Sequence, residues 1–127
     1  MIGRREFLRC GAAGAAALVT IGCGTRTVTD DRGLARPELL AALGDGPVRA
    51  IGAQYRAMTP HERDTPALRR AIHASLPLRA RLFGGSGPSV AALVRDDFTN
   101  GRVVVVDGWV LSVTEARQCA LFSLLPA

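Results

Sequence analysis

Four side chains within thirteen residues, His61, Glu62, Asp64 and His73, have the atom types that hold a divalent metal. Their spacing does not match His-Glu-x-x-His, which sets two imidazoles on one helical face, and no cysteine pair accompanies them. Glu62 and Asp64 also have local work as helix caps, so no metal is expected. Asp96, Asp97 and Asp107 offer carboxylates for acid–base chemistry. Adjacent residues on a helix diverge by about 100°, which sets Asp96 and Asp97 apart, and Asp107 belongs to a turn. Ser86, between Gly85 and Gly87, lacks the strand before and helix after that expose a hydrolase nucleophile. Cys119, flanked by Ala116, Ala120 and Leu121, reads as a small core hydrophobe rather than a reactive thiol. The chain carries no phosphate-cradling loop and no dinucleotide fingerprint, so neither catalytic residues nor a cofactor are expected.

The elements around these residues are mostly helical. Pro37 at a first helical position and Gly44 just past the end bracket a helix over 37–43. A second helix opens at Asp45-Gly46-Pro47 and runs to Met58. Val48, Ile51, Gly52, Tyr55 and Met58 share its inner face, while Arg49 and Arg56 point away. Thr59 through Glu62 spell a capping box. Asp64-Thr65-Pro66 starts a further helix whose buried stripe is Leu68, Ala71, Ile72 and Leu76. After a flexible break at Gly84–Gly87, Pro88-Ser89 begins a helix with Val90, Leu93, Val94 and Phe98 inward, ended by Asn100-Gly101.

The last third changes character. Two β-prone runs, 102–106 and 109–112, flank Asp107-Gly108, a pair that favours a type I′ hairpin turn. Ser112-Val113-Thr114-Glu115 is a second capping box, opening a C-terminal helix through Leu124. An isolated hairpin is marginal in water, so this one must pack on helices, with Trp109 as its apolar clamp. The expected fold is mainly α: a small helical bundle over residues 36–127 with one hairpin at about 102–112, followed by a capping helix.

The net charge is +5 and the isoelectric point near 10.4, yet nucleic-acid binding is not expected. All sixteen basic residues are arginine, three of them within the first nine residues. From Cys23 onward thirteen arginines face ten acids, and aromatic residues are not interleaved for base stacking.

The N-terminus reads Met-Ile-Gly-Arg4-Arg5-Glu6-Phe7-Leu8-Arg9, followed by an uncharged, alanine- and glycine-rich run of 16 residues from Cys10 to Thr25. A basic head, an uncharged middle and a small-residue end are the plan of a secretory signal. The run falls short of the ~20 residues a membrane-spanning helix needs. Arg4, Arg5, Phe7 and Leu8 resemble the twin-arginine family of export signals, with Gly3 where that family usually has Ser or Thr. The resemblance implies export by the twin-arginine translocation machinery and removal of residues 1–24. Thr20-Ile21-Gly22-Cys23 resembles a lipobox, which implies lipidation of Cys23 and a membrane anchor, although Thr20 departs from the usual aliphatic residue. Cleavage after Gly24 is the rival route. Residues 25–35 have no periodicity and read as a tether.

The stretch from Asp97 to Arg102, with Val106 to Arg117, resembles a recurring C-terminal block of small exported proteins with such leaders, and this implies no activity. Proteins that leave by the twin-arginine route are exported folded, commonly with a cofactor or a partner. The expected role is thus that of a non-catalytic accessory protein, a small subunit or escort of a larger exported enzyme such as an oxidoreductase. The alternative is an autonomous envelope lipoprotein. Alternate side chains of four consecutive valines cannot all face one small core. Val103, Val105, Trp109 and Leu111 are therefore the candidate docking residues; the alternative is that helices sandwich these valines.

Overall fold

The computed structural model describes residues 34–83 and 88–127. Helices α1 (Leu39–Leu43), α2 (Asp45–Met58), α3 (Thr65–Ala74), α4 (Leu78–Phe83) and α5 (Val90–Thr99) precede strands β1 (Val103–Val106) and β2 (Trp109–Ser112), and helix α6 (Val113–Ser123) follows. The architecture is mainly helical with a two-stranded antiparallel hairpin leading into the last helix.

The second helix follows its sequence pattern closely. Val48, Ile51, Gly52 and Tyr55, spaced three and four residues apart, are buried against α6. Met58 is exposed instead, because it ends the helix beyond the reach of the core. Arg49 does not point away either. Its guanidinium donates to the carbonyls of Leu125 at 2.8 Å and Pro126 at 3.0 Å, and lies 4.7 Å from the Phe122 ring centre. Carbonyls beyond a helix C-terminus lack intrahelical donors, and a cation is the natural partner for them. Arg56 likewise donates to the Arg63 carbonyl and the Ser123 hydroxyl.

The close approach of α2 and α6 rests on one missing side chain. A Cβ built at Gly52 would overlap the Cys119 carbonyl and come within 2.9 Å of the Ala120 nitrogen. The facing positions on α6 are correspondingly small: Ala116, Cys119 and Ala120 are fully buried. With Thr114, Gln118, Leu121 and Phe122 also buried, α6 is enclosed around most of its circumference. It touches α2, α3, α5 and both strands.

Asp64 caps α3 by accepting from the Ala67 amide at 2.8 Å, and Leu68 and Ile72 line the buried side. Ser89 caps α5 in the same way. In the hairpin Val104 pairs with Leu111, Val105 with Val110 and Val106 with Trp109. Asp107 and Gly108 adopt φ of 49° and 82°, the two left-handed conformations of a type I′ turn. Ser112 and Glu115 close the expected reciprocal capping box.

Several expectations need correction. The first helix starts at Leu39, not Pro37, and Pro37 is buried ahead of it. Leu34 and Ala35 belong to the core, so the end of the expected tether is packed in: apolar side chains can be buried without periodicity. Phe98 is exposed because Asp97 takes the inward position on α5. Helix α4 has no counterpart in the sequence reading. The break at Gly84–Gly87 and Ser86 lie outside the described residues, as does most of the tether.

Replacing Gly52 with Ala should lower stability by about 3 kcal/mol through overpacking, although alanine favours an isolated helix by about 1 kcal/mol. Urea unfolding of the variant checks this, and a gain in stability would mean that α2 and α6 do not meet backbone to backbone.

Candidate functional site

Polar groups gather in a buried network at Glu62 and around the buried carboxylate of Asp97, and exposed apolar groups gather on the outer face of the hairpin.

Glu62 sits in a short 3-10 turn over Pro60–Glu62 and is buried. Its expected capping role does not hold. The Thr59 hydroxyl donates back to the Tyr55 carbonyl at 2.7 Å and caps nothing. The Glu62 carboxylate instead accepts a bidentate pair from Arg117, Nε at 2.9 Å and Nη2 at 2.8 Å, and a further bond from the Tyr55 hydroxyl at 2.7 Å. Two charge-assisted bonds outcompete a single amide for the carboxylate. Arg117 also reaches the Ser75 hydroxyl at 3.1 Å, joining α6 to the end of α3. Burial alone would raise the Glu62 carboxyl, but the Arg117 and Tyr55 hydrogen bonds outweigh it and hold the group below the usual carboxylate range. Burial, reinforced by Glu62, pushes the Tyr55 phenol up to about 12, and Glu62 raises Arg117 despite its burial. All three side chains are locked in a saturated structural network, with nothing poised to exchange a proton near neutral pH.

Asp97 is buried, yet it is fully partnered. One oxygen accepts from Arg102 Nε at 2.8 Å, the other from the Thr114 amide at 2.8 Å. Thr114 lies in the first turn of α6, where backbone amides lack intrahelical acceptors. The neighbouring amides are satisfied too, Val113 by the Arg102 carbonyl at 3.1 Å and Glu115 by the Ser112 hydroxyl at 3.0 Å. Arg102 additionally pairs with the exposed Asp96. The motif positions between Asp97 and Glu115 thus form one interlock among α5, the hairpin and α6. Asp107 stays at the turn tip, away from that pair.

The remaining reactive types are scattered. His61 is exposed with Nε2 3.8 Å from Glu62, and His73 is exposed on α3. Among the described residues, no group of three or more His, Cys, Asp or Glu gathers as a metal set. Cys119 is fully buried, and burial pushes its thiol up to about 12, which leaves negligible thiolate. A surface depression of about 160 Å³ lies among Val90, Val94, Arg95, Glu115 and Gln118. Ordinary ligand sites are of the order of 300–1,000 Å³.

The hairpin divides the expected docking residues. Val103 and Val105 are exposed on its outer face, with Val105 at 57% and its partner Val110 at 61%. Leu111 is buried on the inner face beside Val104 and Val106, so it cannot dock a partner. Trp109 also belongs to that inner register, but it lies at the turn end with 44% of its surface exposed; Val106, not Trp109, fills the core. Val110 joins the outward face although it is not among the expected residues; its alternation with the buried Leu111 marks it. The export residues Arg4, Arg5, Phe7 and Leu8 and the lipidation candidate Cys23 lie outside the described residues. Among those described, no helix is long and apolar enough to cross a membrane.

Two stability predictions follow from the networks. Because native Glu62 takes its proton at lower pH than the unfolded chain, the unfolded state binds more protons in acid, and its stabilising contribution falls away below about pH 4.5. Glu62→Gln should cost about 3 kcal/mol at neutral pH, and the gap to the parent should narrow on acidification, as thermal melts across the acid range will show. Asp97→Ala should cost about 3 kcal/mol in chemical denaturation, whereas Asp96→Ala, beside the same arginine but exposed, should cost less than about 1 kcal/mol.

Comparison of the chain with protein families, with curated proteins and with solved structures finds no match.

Proposed function

We propose that this chain is a non-catalytic accessory protein that works outside the cytosol as the small subunit or escort of a larger exported enzyme such as an oxidoreductase. The observation that carries this reading is the outer hairpin face. Val103, Val105 and Val110 present contiguous β-branched surface to solvent, with Trp109 exposed at the turn end. Clustered apolar surface of this kind marks protein–protein contact sites, and the core of such a site is depleted in charge. The saturated hydrogen bonding of Glu62 and Asp97 supports a binding role over catalysis, since their carboxylates are already committed to arginine, tyrosine and backbone partners.

The leader supplies the address. Arg4, Arg5, Phe7 and Leu8 would be read by the twin-arginine translocation machinery, and the protein would be held at the membrane through lipidated Cys23. An autonomous envelope lipoprotein is the second reading, favoured by the cysteine at the lipobox-like position.

Mild detergent extraction of the protein from its native membrane tests the proposal. A stoichiometric larger protein should co-purify, and should be lost from the Val105→Lys/Val110→Glu variant, whose opposed charges pair across the hairpin, while that variant melts at the parent temperature. A clean monomer, or a partner retained by the variant, contradicts it.

A further inference from the structure

We infer that α4 is a docking site for an anionic lipid surface. Leu78 and Leu82 stand four residues apart on one stripe of this helix, with 60% and 65% of their surfaces exposed. Arg81, next to Leu82, is exposed as well. The surrounding segment is one-signed: residues 65–95 contain five arginines and neither aspartate nor glutamate. Exposed leucines beside an exposed arginine are the chemistry of a helix that lies in a membrane interface, its apolar stripe among acyl chains and its guanidinium at anionic headgroups. Arginine suits the position because its long stem covers apolar surface while its head stays wet.

Charge separates this surface from the hairpin. Beside the outer hairpin face, Arg102 is tied to Asp96 and Asp97, which leaves apolar area suited to a protein. On α4 the apolar stripe lies beside the exposed Arg81, in a stretch of sequence without acidic residues. The contact would hold that side of the domain against the leaflet, independently of any lipid on Cys23.

Vesicle sedimentation with the full chain tests the proposal, comparing phosphatidylcholine alone with phosphatidylcholine containing one-third phosphatidylglycerol. Binding should favour the anionic vesicles and weaken with salt. It should fall roughly five-fold in Arg81→Ser and at least about tenfold in Leu78→Ser/Leu82→Ser. Because the leader is the same in all three proteins, the difference reads α4 alone. Hydrogen exchange on the parent protein gives a second readout: amides around 78–82 should become protected when anionic vesicles are added. Unchanged vesicle binding by the leucine variant overturns the proposal. So does equal loss of binding to heparin, which would identify a general polyanion site. Unchanged exchange at 78–82 on adding anionic vesicles also overturns it, since the bound surface would then lie elsewhere on the chain.

Discussion

A carboxylate removed from water destabilises a fold unless every lone pair it turns inward meets a donor. Asp97 meets that condition with partners from two directions, the Arg102 guanidinium that precedes the hairpin and the Thr114 amide that opens α6. The α6 end is favourable for a second reason: the positive pole of a helix N-terminus attracts negative charge. One side chain thereby fixes how α5, the hairpin and α6 meet. The inward turn of Asp97 also decides that Phe98 faces solvent, and the placement of the hairpin decides which valines do.

The same helix is anchored along its length by different physics. Its middle packs small residues against Gly52, where two backbones approach too closely for a Cβ. Its flank carries Arg117 to Glu62 and Ser75. Its end is received by Arg49. Glu62 and Asp97, two of the carboxylates that resemble catalytic apparatus in the sequence, are therefore spent on holding α6 in place. Among the described residues, exposed apolar side chains cluster on the valine face of the hairpin and on the Leu78–Leu82 stripe of α4.

The features legible in the sequence are those whose causes are local. The Asp107-Gly108 turn, the Ser112–Glu115 box, the Asp64 cap and the α2 stripe from Val48 to Tyr55 each lie within a few residues of their reason, and all of them form. The illegible features depend on distant partners. Glu62 looks like a cap until Arg117, fifty-five residues later, arrives beside it. Asp97 looks like a solvated helix residue until the Thr114 amide, seventeen residues on, needs an acceptor. Trp109 is large enough to suggest a clamp, yet position along the strand rather than size decides which side chain enters the core. Leu34 carries no periodic signal and is buried all the same. In the candidate docking surface, alternation along the strand marks the outward valines, and the same alternation sets Leu111 inward opposite Val104.

Native-state hydrogen exchange at the Thr114 amide tests the central claim most directly. If the Asp97 carboxylate locks the start of α6, this amide opens only with global unfolding, and its protection equals that of the buried Cys119 amide in the middle of the helix. Exchange at the rate of a frayed helix end, with Cys119 still protected, would show that the first turn of α6 opens on its own and that Asp97 does not hold the C-terminal elements together.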